Sequence, residues 1–306
     1  MIKRIIIGLV LFMVIAVFFF YTPDKSIAEL KTMYTDQESK FLNVKGMDVH
    51  YKIEGMGMPL LLLHGTGSSL HTWDQWTKAL VDSFQVIRVD LPAYGLTGPR
   101  PDRDYKTSSY ISFLDEFMSR VGIDSFHIAG NSFGGGLAFV YAGMHPDKVG
   151  KLVLIDASGI PSKGERPIVF KLASNPIMSM VLQKVTPKSF IKKNLLEVYE
   201  NDAQVTEELV TRYHDFAIRE GNRQAFVDRV KTHSKDYSGL LKKLEEPTLI
   251  MWGEKDEWIP FEIAHEMDRL IPNSRIVSYP NVGHLPMEEF PKVSAEDARS
   301  FLLEKL

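Results

Sequence analysis

Short apolar runs recur along this chain with room for a helix between them, and that alternation limits the fold more than any other feature. Pro59-Leu60-Leu61-Leu62-Leu63 is continuously apolar, as expected of a strand buried on both faces. Gln85 to Val89, Phe126 to Ala129 and Lys151 to Ile155 are runs of the same kind. Thr248 to Trp252 and Arg275 to Tyr279 come later, each followed by a helical stretch. Met47 to Ile53 instead puts Met47, Val49, Tyr51 and Ile53 on one side, the period of a half-exposed strand. Between strands, Tyr110, Phe113, Leu114, Phe117, Met118 and Val121 keep the spacing of an amphipathic helix. Such alternation predicts an α/β fold with a mainly parallel sheet covered by helices.

The alternation breaks between residues 161 and 240. Phe190, Ile191, Leu195, Leu196, Val198 and Tyr199 form a helical pattern there, no strand is evident, and Pro161, Pro167, Pro176 and Pro187 punctuate the first half. A helical insertion of this size reads as a cap over a core made of residues 29–160 and 241–306. The 306 residues suffice for one large domain carrying such an insertion. Lys184, Lys188, Lys192 and Lys193 read as the cap's solvated face.

Residues 1–28 stand apart. Lys3 and Arg4 precede an uncharged run from Ile5 to Tyr21. As a helix this run rises about 25 Å, slightly short of the roughly 30 Å hydrocarbon core. A membrane anchor is the expectation, with the basic N-terminus cytoplasmic and the rest beyond the membrane, in the periplasm if the source is bacterial. The alternative is a cleaved signal peptide and a secreted protein, because Ser26-Ile27-Ala28 has small residues at the right spacing. The apolar run is longer than usual for a signal, and Asp24 and Lys25 sit in the cleavage region. The net charge of -3 gives no reason to expect nucleic acid as a partner. The absence of cysteine excludes disulfides, thiolate zinc sites and cysteine nucleophiles.

Gly130-Asn131-Ser132-Phe133-Gly134 follows one strand and opens a helical stretch, the setting of a nucleophile elbow. A serine on so sharp a turn needs neighbours without side chains, because strand and helix backbones approach closely. Alone the pattern is weak. A serine hydroxyl needs a histidine to take its proton, and the histidine needs a carboxylate to fix its tautomer. Both belong just after strands, in the chain order Ser, Asp, His. Trp252-Gly253-Glu254-Lys255-Asp256 and Asn281-Val282-Gly283-His284 meet that demand. Ser132, Asp256 and His284 are therefore the expected triad, with Asp156 at the end of a neighbouring strand as the alternative acid. His145, His214, His233 and His265 are expected at the surface. The oxyanion needs two N–H donors, assigned to Phe133 and to Thr66 in His64-Gly65-Thr66-Gly67. His64 is expected to make a structural hydrogen bond in that loop.

Together these residues resemble the α/β-hydrolase superfamily over about residues 45–306. The landmarks are His64-Gly65, Asp90-Leu91-Pro92-Ala93-Tyr94-Gly95, the Gly-Asn-Ser-Phe-Gly-Gly elbow, Trp252-Gly253-x-x-Asp256 and Gly283-His284. Ala93 departs from the glycine usual in relatives and touches no catalytic role. The resemblance implies an α/β-hydrolase fold: a mostly parallel eight-stranded sheet, helices on both faces and a helical cap inserted after strand six. It also implies a serine hydrolase cleaving a carboxylic ester through an acyl-enzyme, of carboxylesterase or lipase-like character. Ser132 departs from the aspartate nucleophile of haloalkane dehalogenases and epoxide hydrolases. The elbow is also similar to that of meta-cleavage product hydrolases, which break carbon–carbon bonds. Their oxyanion loop is usually richer in glycine, and they work in the cytoplasm. A cofactor-free perhydrolase shares the triad, and a non-catalytic binding protein is the reading from a different class. The expected substrate is a small hydrophobic acyl ester in a pocket that includes Trp73, Met178 and Leu285. No metal and no cofactor are expected.

Overall fold

Successive residues of a strand face opposite ways, and all four leucines from Leu60 to Leu63 are wholly buried. They lie in β3 (Met58–Leu63), inside an eight-stranded sheet. The computed structural model describes residues 18–161, 166–233 and 235–305. The other strands are β1 (Lys40–Val44), β2 (Met47–Glu54), β4 (Phe84–Val89), β5 (Phe126–Asn131), β6 (Val149–Ile155), β7 (Thr248–Gly253) and β8 (Ser274–Tyr279). Their order is β1-β2-β4-β3-β5-β6-β7-β8. The pairs β1–β2 and β2–β4 are antiparallel, and all others are parallel. From β3 the chain passes to β4 on one side and then to β5 on the other. The carboxyl ends of β3 and β5 therefore flank a topological switch point, where open α/β sheets hold their ligands.

Both faces are covered. Leu60 and Leu62 pack with Trp76 of α2 (Asp74–Leu80) and Phe301 of α12 (Pro291–Leu303). Leu61 and Leu63 pack with Phe113 and Phe117 of α3 (Thr107–Arg120), Leu137 of α4 (Phe133–Met144) and Met267 of α10 (Glu262–Leu270). The helix expected from the Tyr110 to Val121 spacing is α3. Between β6 and β7 come α5 (Ile168–Ser174), α6 (Pro176–Leu182), α7 (Lys188–Val198), α8 (Glu207–Ala217) and α9 (Asn222–Lys231). Lys184, Lys188 and Lys193 are exposed there, and Lys192 pairs with Glu207 at 2.7 Å.

Three features depart from the sequence reading. The residue pattern showed no strand before Met47, yet β1 pairs with β2 through a turn at Lys45 (φ 50°) and Gly46 (φ 80°). Two successive positive φ values match the twist of a tight hairpin. Secondly, β2 is not half-exposed. His50 and Lys52 on its second face are buried, held by Asp90 at 2.8 Å and Asp36 at 2.5 Å. Thirdly, residues beyond Tyr21 are tied to the cap. The Thr22 N–H donates to Lys184 C=O (2.9 Å), Arg223 pairs with Asp24 (2.6 Å), and Lys25 pairs with buried Asp215 (2.8 Å). Ser26 caps α1 (Ile27–Tyr34), whose Leu30 packs on Phe216. Most of the apolar run expected to be an anchor lies outside the described residues. Among the described residues, no helix is long and apolar enough to cross a membrane.

Burial first of all holds His71 and His127 down at about 4, against an ordinary value near 6.5. The unfolded chain therefore takes up protons between about pH 6.5 and 4 that the folded chain refuses, and stability falls as pH drops through that window. Scanning calorimetry should show Tm decreasing from pH 7 to 4.5. His127→Gln should flatten the decrease, and an unchanged slope would contradict a neutral buried ring.

Candidate active site

The turn from β5 into α4 places Ser132 at φ 52°, ψ −117°, a conformation costly for a residue with a Cβ. Its neighbours explain how the turn closes. A Cβ on Gly130 would lie 2.4 Å from the Gly134 backbone, and one on Gly134 would lie 2.2 Å from Leu63 O. The elbow is pinned from outside as well. Ser132 N–H donates to Ile155 C=O at 2.9 Å, and Ser158 N–H donates to Ser132 C=O at 3.0 Å.

His284 arrives on the loop after β8. Its Nδ1 lies 2.6 Å from Asp256 Oδ2, with both side chains almost wholly buried. The other Asp256 oxygen accepts the N–H groups of Trp258 (2.7 Å) and Ile259 (2.9 Å). The Trp258 ring lies against the imidazole at 5.7 Å between centroids. Neither Ser132 Oγ nor His284 Nε2 hydrogen-bonds to another described residue, and both residues line one cavity. Catalytic bonds of this kind often close only around bound substrate.

Asp156, the alternative acid, ends β6 at φ 42°, and its Oδ1 accepts Gly253 N–H at 3.0 Å. It has no hydrogen bond to His284. Burial, and next the charge of Asp256, push its carboxyl well above the usual carboxylate range. Asp156, Asp256 and His284 each bring one ligand-type atom within 4.8 Å of the others, the one such group among the described residues. Within this group His284 Nδ1 and Asp256 Oδ2 are already joined by the 2.6 Å bond. The arrangement is that of an acid–base chain.

The oxyanion candidates flank Ser132. Phe133 opens α4, so its N–H is one of the helix's unpaired amides. Thr66 lines the cavity in the loop after β3, and its N–H makes no backbone bond among the described residues. His64 is structural. Its Nε2 accepts Leu91 N–H (2.9 Å), so its Nδ1 donates to Gly65 C=O (2.8 Å), and burial favours this neutral ring.

The cavity above Ser132 lies between sheet and cap. Its apolar wall includes Val169, Leu182, Phe190, Ile191, Leu195 and Phe226, joined by Leu285 as expected. Trp73 and Met178 do not line it. Trp73 is wholly buried, packed on Trp76 at 5.2 Å in the core beneath α2. Met178 is 38 % exposed, because α6 buries Ser179 and turns Ile177, Met178 and Met180 outward. His214, expected at the surface, is buried with its ring bonded to Thr186 C=O at 2.9 Å.

Three positioning groups escaped the sequence reading. Asn131 Nδ2 donates to the C=O of both His284 (3.0 Å) and Ile155 (3.2 Å), joining the elbow to the histidine loop. Glu289, in α11 (Pro286–Glu289), accepts the N–H groups of Gly283 (2.8 Å) and Glu200 (2.9 Å). Arg229 of α9 donates to Thr66 Oγ1 (2.9 Å) and lies 4.4 Å from the Phe133 ring centroid, so the cap grips both oxyanion candidates. Only the glutamate carried a signal, as an acidic residue on the short helix behind His284.

Comparison with known proteins gives a consistent picture. The family model described as alpha/beta hydrolase fold matches residues 58–197. Lipase 3 of Moraxella sp. strain TA144 is 26% identical over 295 residues, covering 92% of this chain and 87% of that lipase. The 2-hydroxy-6-oxononadienedioate/2-hydroxy-6-oxononatrienedioate hydrolase of Paraburkholderia phymatum is 30% identical over 268 residues, covering 80% of this chain and 89% of that enzyme. A crystal structure of a membrane phospholipase A, described as a bacterial virulence factor, superposes with a TM-score of 0.75 at 27% identity over 98% of each chain.

Proposed function

This chain belongs to the α/β-hydrolase family, and on that premise we propose that it cleaves esters of apolar acyl groups, with Ser132 as nucleophile, His284 as base and Asp256 as acid. The observation that carries the reading is His284, held by Asp256 at 2.6 Å, opening with Ser132 onto one largely apolar cavity. His284 takes the hydroxyl proton as Ser132 attacks the acyl carbonyl. The Phe133 and Thr66 amides hold the oxyanion, which concentrates charge where fixed donors already point. The leaving alcohol receives the proton from His284. Water then releases the acyl group by the same steps.

The location proposed is the far side of a membrane, anchored by Ile5 to Tyr21. The bonds from Thr22, Asp24 and Lys25 to the cap favour retention of this segment over its removal. Phe18 to Tyr21 are exposed beside the end of α6, where Ile177, Met178 and Met180 are exposed too. An apolar surface of this kind suits lipid contact. The likeness to a membrane phospholipase A accords with a lipid-derived ester.

A second reading, carbon–carbon cleavage, has the Paraburkholderia relative in its favour. One experiment separates them. The full chain in detergent is assayed on p-nitrophenyl esters from short to long acyl chains and on a 2-hydroxy-6-oxo-dienoate. Ester hydrolysis with a preference beyond acetyl is expected. Turnover of the dienoate by a folded protein inert toward every ester would replace this reading with the second.

A further inference from the structure

An ionised carboxylate offers about four acceptor sites, and Asp256 has three in use: two for the Trp258 and Ile259 N–H groups and one for His284. The fourth has Asp156 for a neighbour. The Asp156 carboxyl is also half engaged, since Oδ1 accepts Gly253 N–H while Oδ2 is buried with no donor facing it. A buried oxygen without a donor, standing beside a carboxylate with one acceptor site open, is satisfied when it carries a proton and donates it to that carboxylate.

We propose that Asp156 is a positioning residue, a neutral carboxylic acid that hydrogen-bonds to Asp256 and fixes the oxygen facing His284. This rests on the triad proposed above and adds a fourth member to it. The carboxylates of Asp256 on the β7 loop and Glu289 on α11 favour the proton and the Gly253 N–H opposes it, while Tyr279 at the end of β8 and His284 beyond Asp256 complete the titratable surroundings. Burial acts in the same direction, and like charges this close do not both ionise. The backbone supports the placement. Asp156 holds φ 42°, its N–H donates to Met251 C=O at 3.0 Å, and its carboxyl bonds Gly253, so two bonds to β7 lock it.

The test compares Asp156→Ala and Asp156→Asn in the full chain, reading kcat, KM and the pH dependence of kcat/KM on a soluble ester. Alanine removes the donor, and kcat should fall about tenfold to a hundredfold with KM little changed, the scale of one hydrogen bond to a charged group. Asparagine has the same pattern of one acceptor and one donor and should restore most of kcat. The acid limb of kcat/KM should stay in place in the asparagine variant, because no charge near His284 has been removed. In infrared difference spectra a protonated-carboxyl C=O band should be present in the parent and missing from Asp156→Asn. A full-strength alanine variant would remove the positioning role. An asparagine variant as weak as alanine, or with its acid limb lowered by about one pH unit, would mean that Asp156 is ionised. Asp256→Asn run in parallel keeps the readings apart: full activity there overturns the triad itself, whatever Asp156 does.

Discussion

Ser132→Ala should lower kcat about 10⁴-fold or more, in line with nucleophile removal in other triads, while leaving Tm unchanged. The two halves of this expectation have separate grounds. The Ser132 hydroxyl makes no hydrogen bond to another described residue, so its loss leaves no buried partner unsatisfied. The Cβ stays, and with it the backbone at φ 52° and the bonds from Ser132 N–H to Ile155 and from Ser158 to Ser132 C=O. Only the attacking oxygen is gone. The Phe133 and Thr66 amides and the cavity remain to give a residual rate. A variant that is folded by circular dichroism yet keeps a tenth of the parent activity would place the nucleophile elsewhere.

The parts of the site that sequence made legible are those whose chemistry is local. The elbow announces itself because the close approach of β5 and α4 demands glycine at 130 and 134, within two residues of the serine on either side. His284 and Asp256 follow from chain order and from their places just after β8 and β7. What stayed hidden depends on approach in space. Asn131, Glu289 and Arg229 act on groups 153, 6 and 163 positions away, and nothing in the neighbours of Asn131 and Arg229 along the chain marks them for these roles. Hydrophobicity alone does not separate a core residue from a cavity wall. Trp73 and Leu285 look alike in the sequence, yet one is sealed beneath α2 and the other faces the cavity. The strand β1 was missed for a related reason: Lys40 to Val44 alternates poorly, and its pairing with β2 is set by the Lys45-Gly46 turn.

Asp256→Asn is the second large expected loss, about 10³- to 10⁴-fold in kcat, and here the geometry dictates the outcome. Two backbone N–H groups, from Trp258 and Ile259, point at Asp256 Oδ1 at 2.7 and 2.9 Å. An asparagine must turn its carbonyl oxygen toward them, because its NH₂ group would meet two donors head-on. The NH₂ then occupies the place of Oδ2, 2.6 Å from His284 Nδ1. A donor at that point obliges Nδ1 to accept, which puts the ring proton on Nε2. The nitrogen that must take the proton of Ser132 is then already protonated. The fold should be unaffected, since every bond to the backbone is kept, and a crystal structure of the variant should superpose on the parent. Asp156→Asn has no such effect on the tautomer, because Asp156 bonds Gly253 and does not touch the ring. The two asparagine variants, measured side by side on the same ester, therefore distinguish the acid from its neighbour. A crippled Asp156→Asn beside an active Asp256→Asn would reverse the two roles.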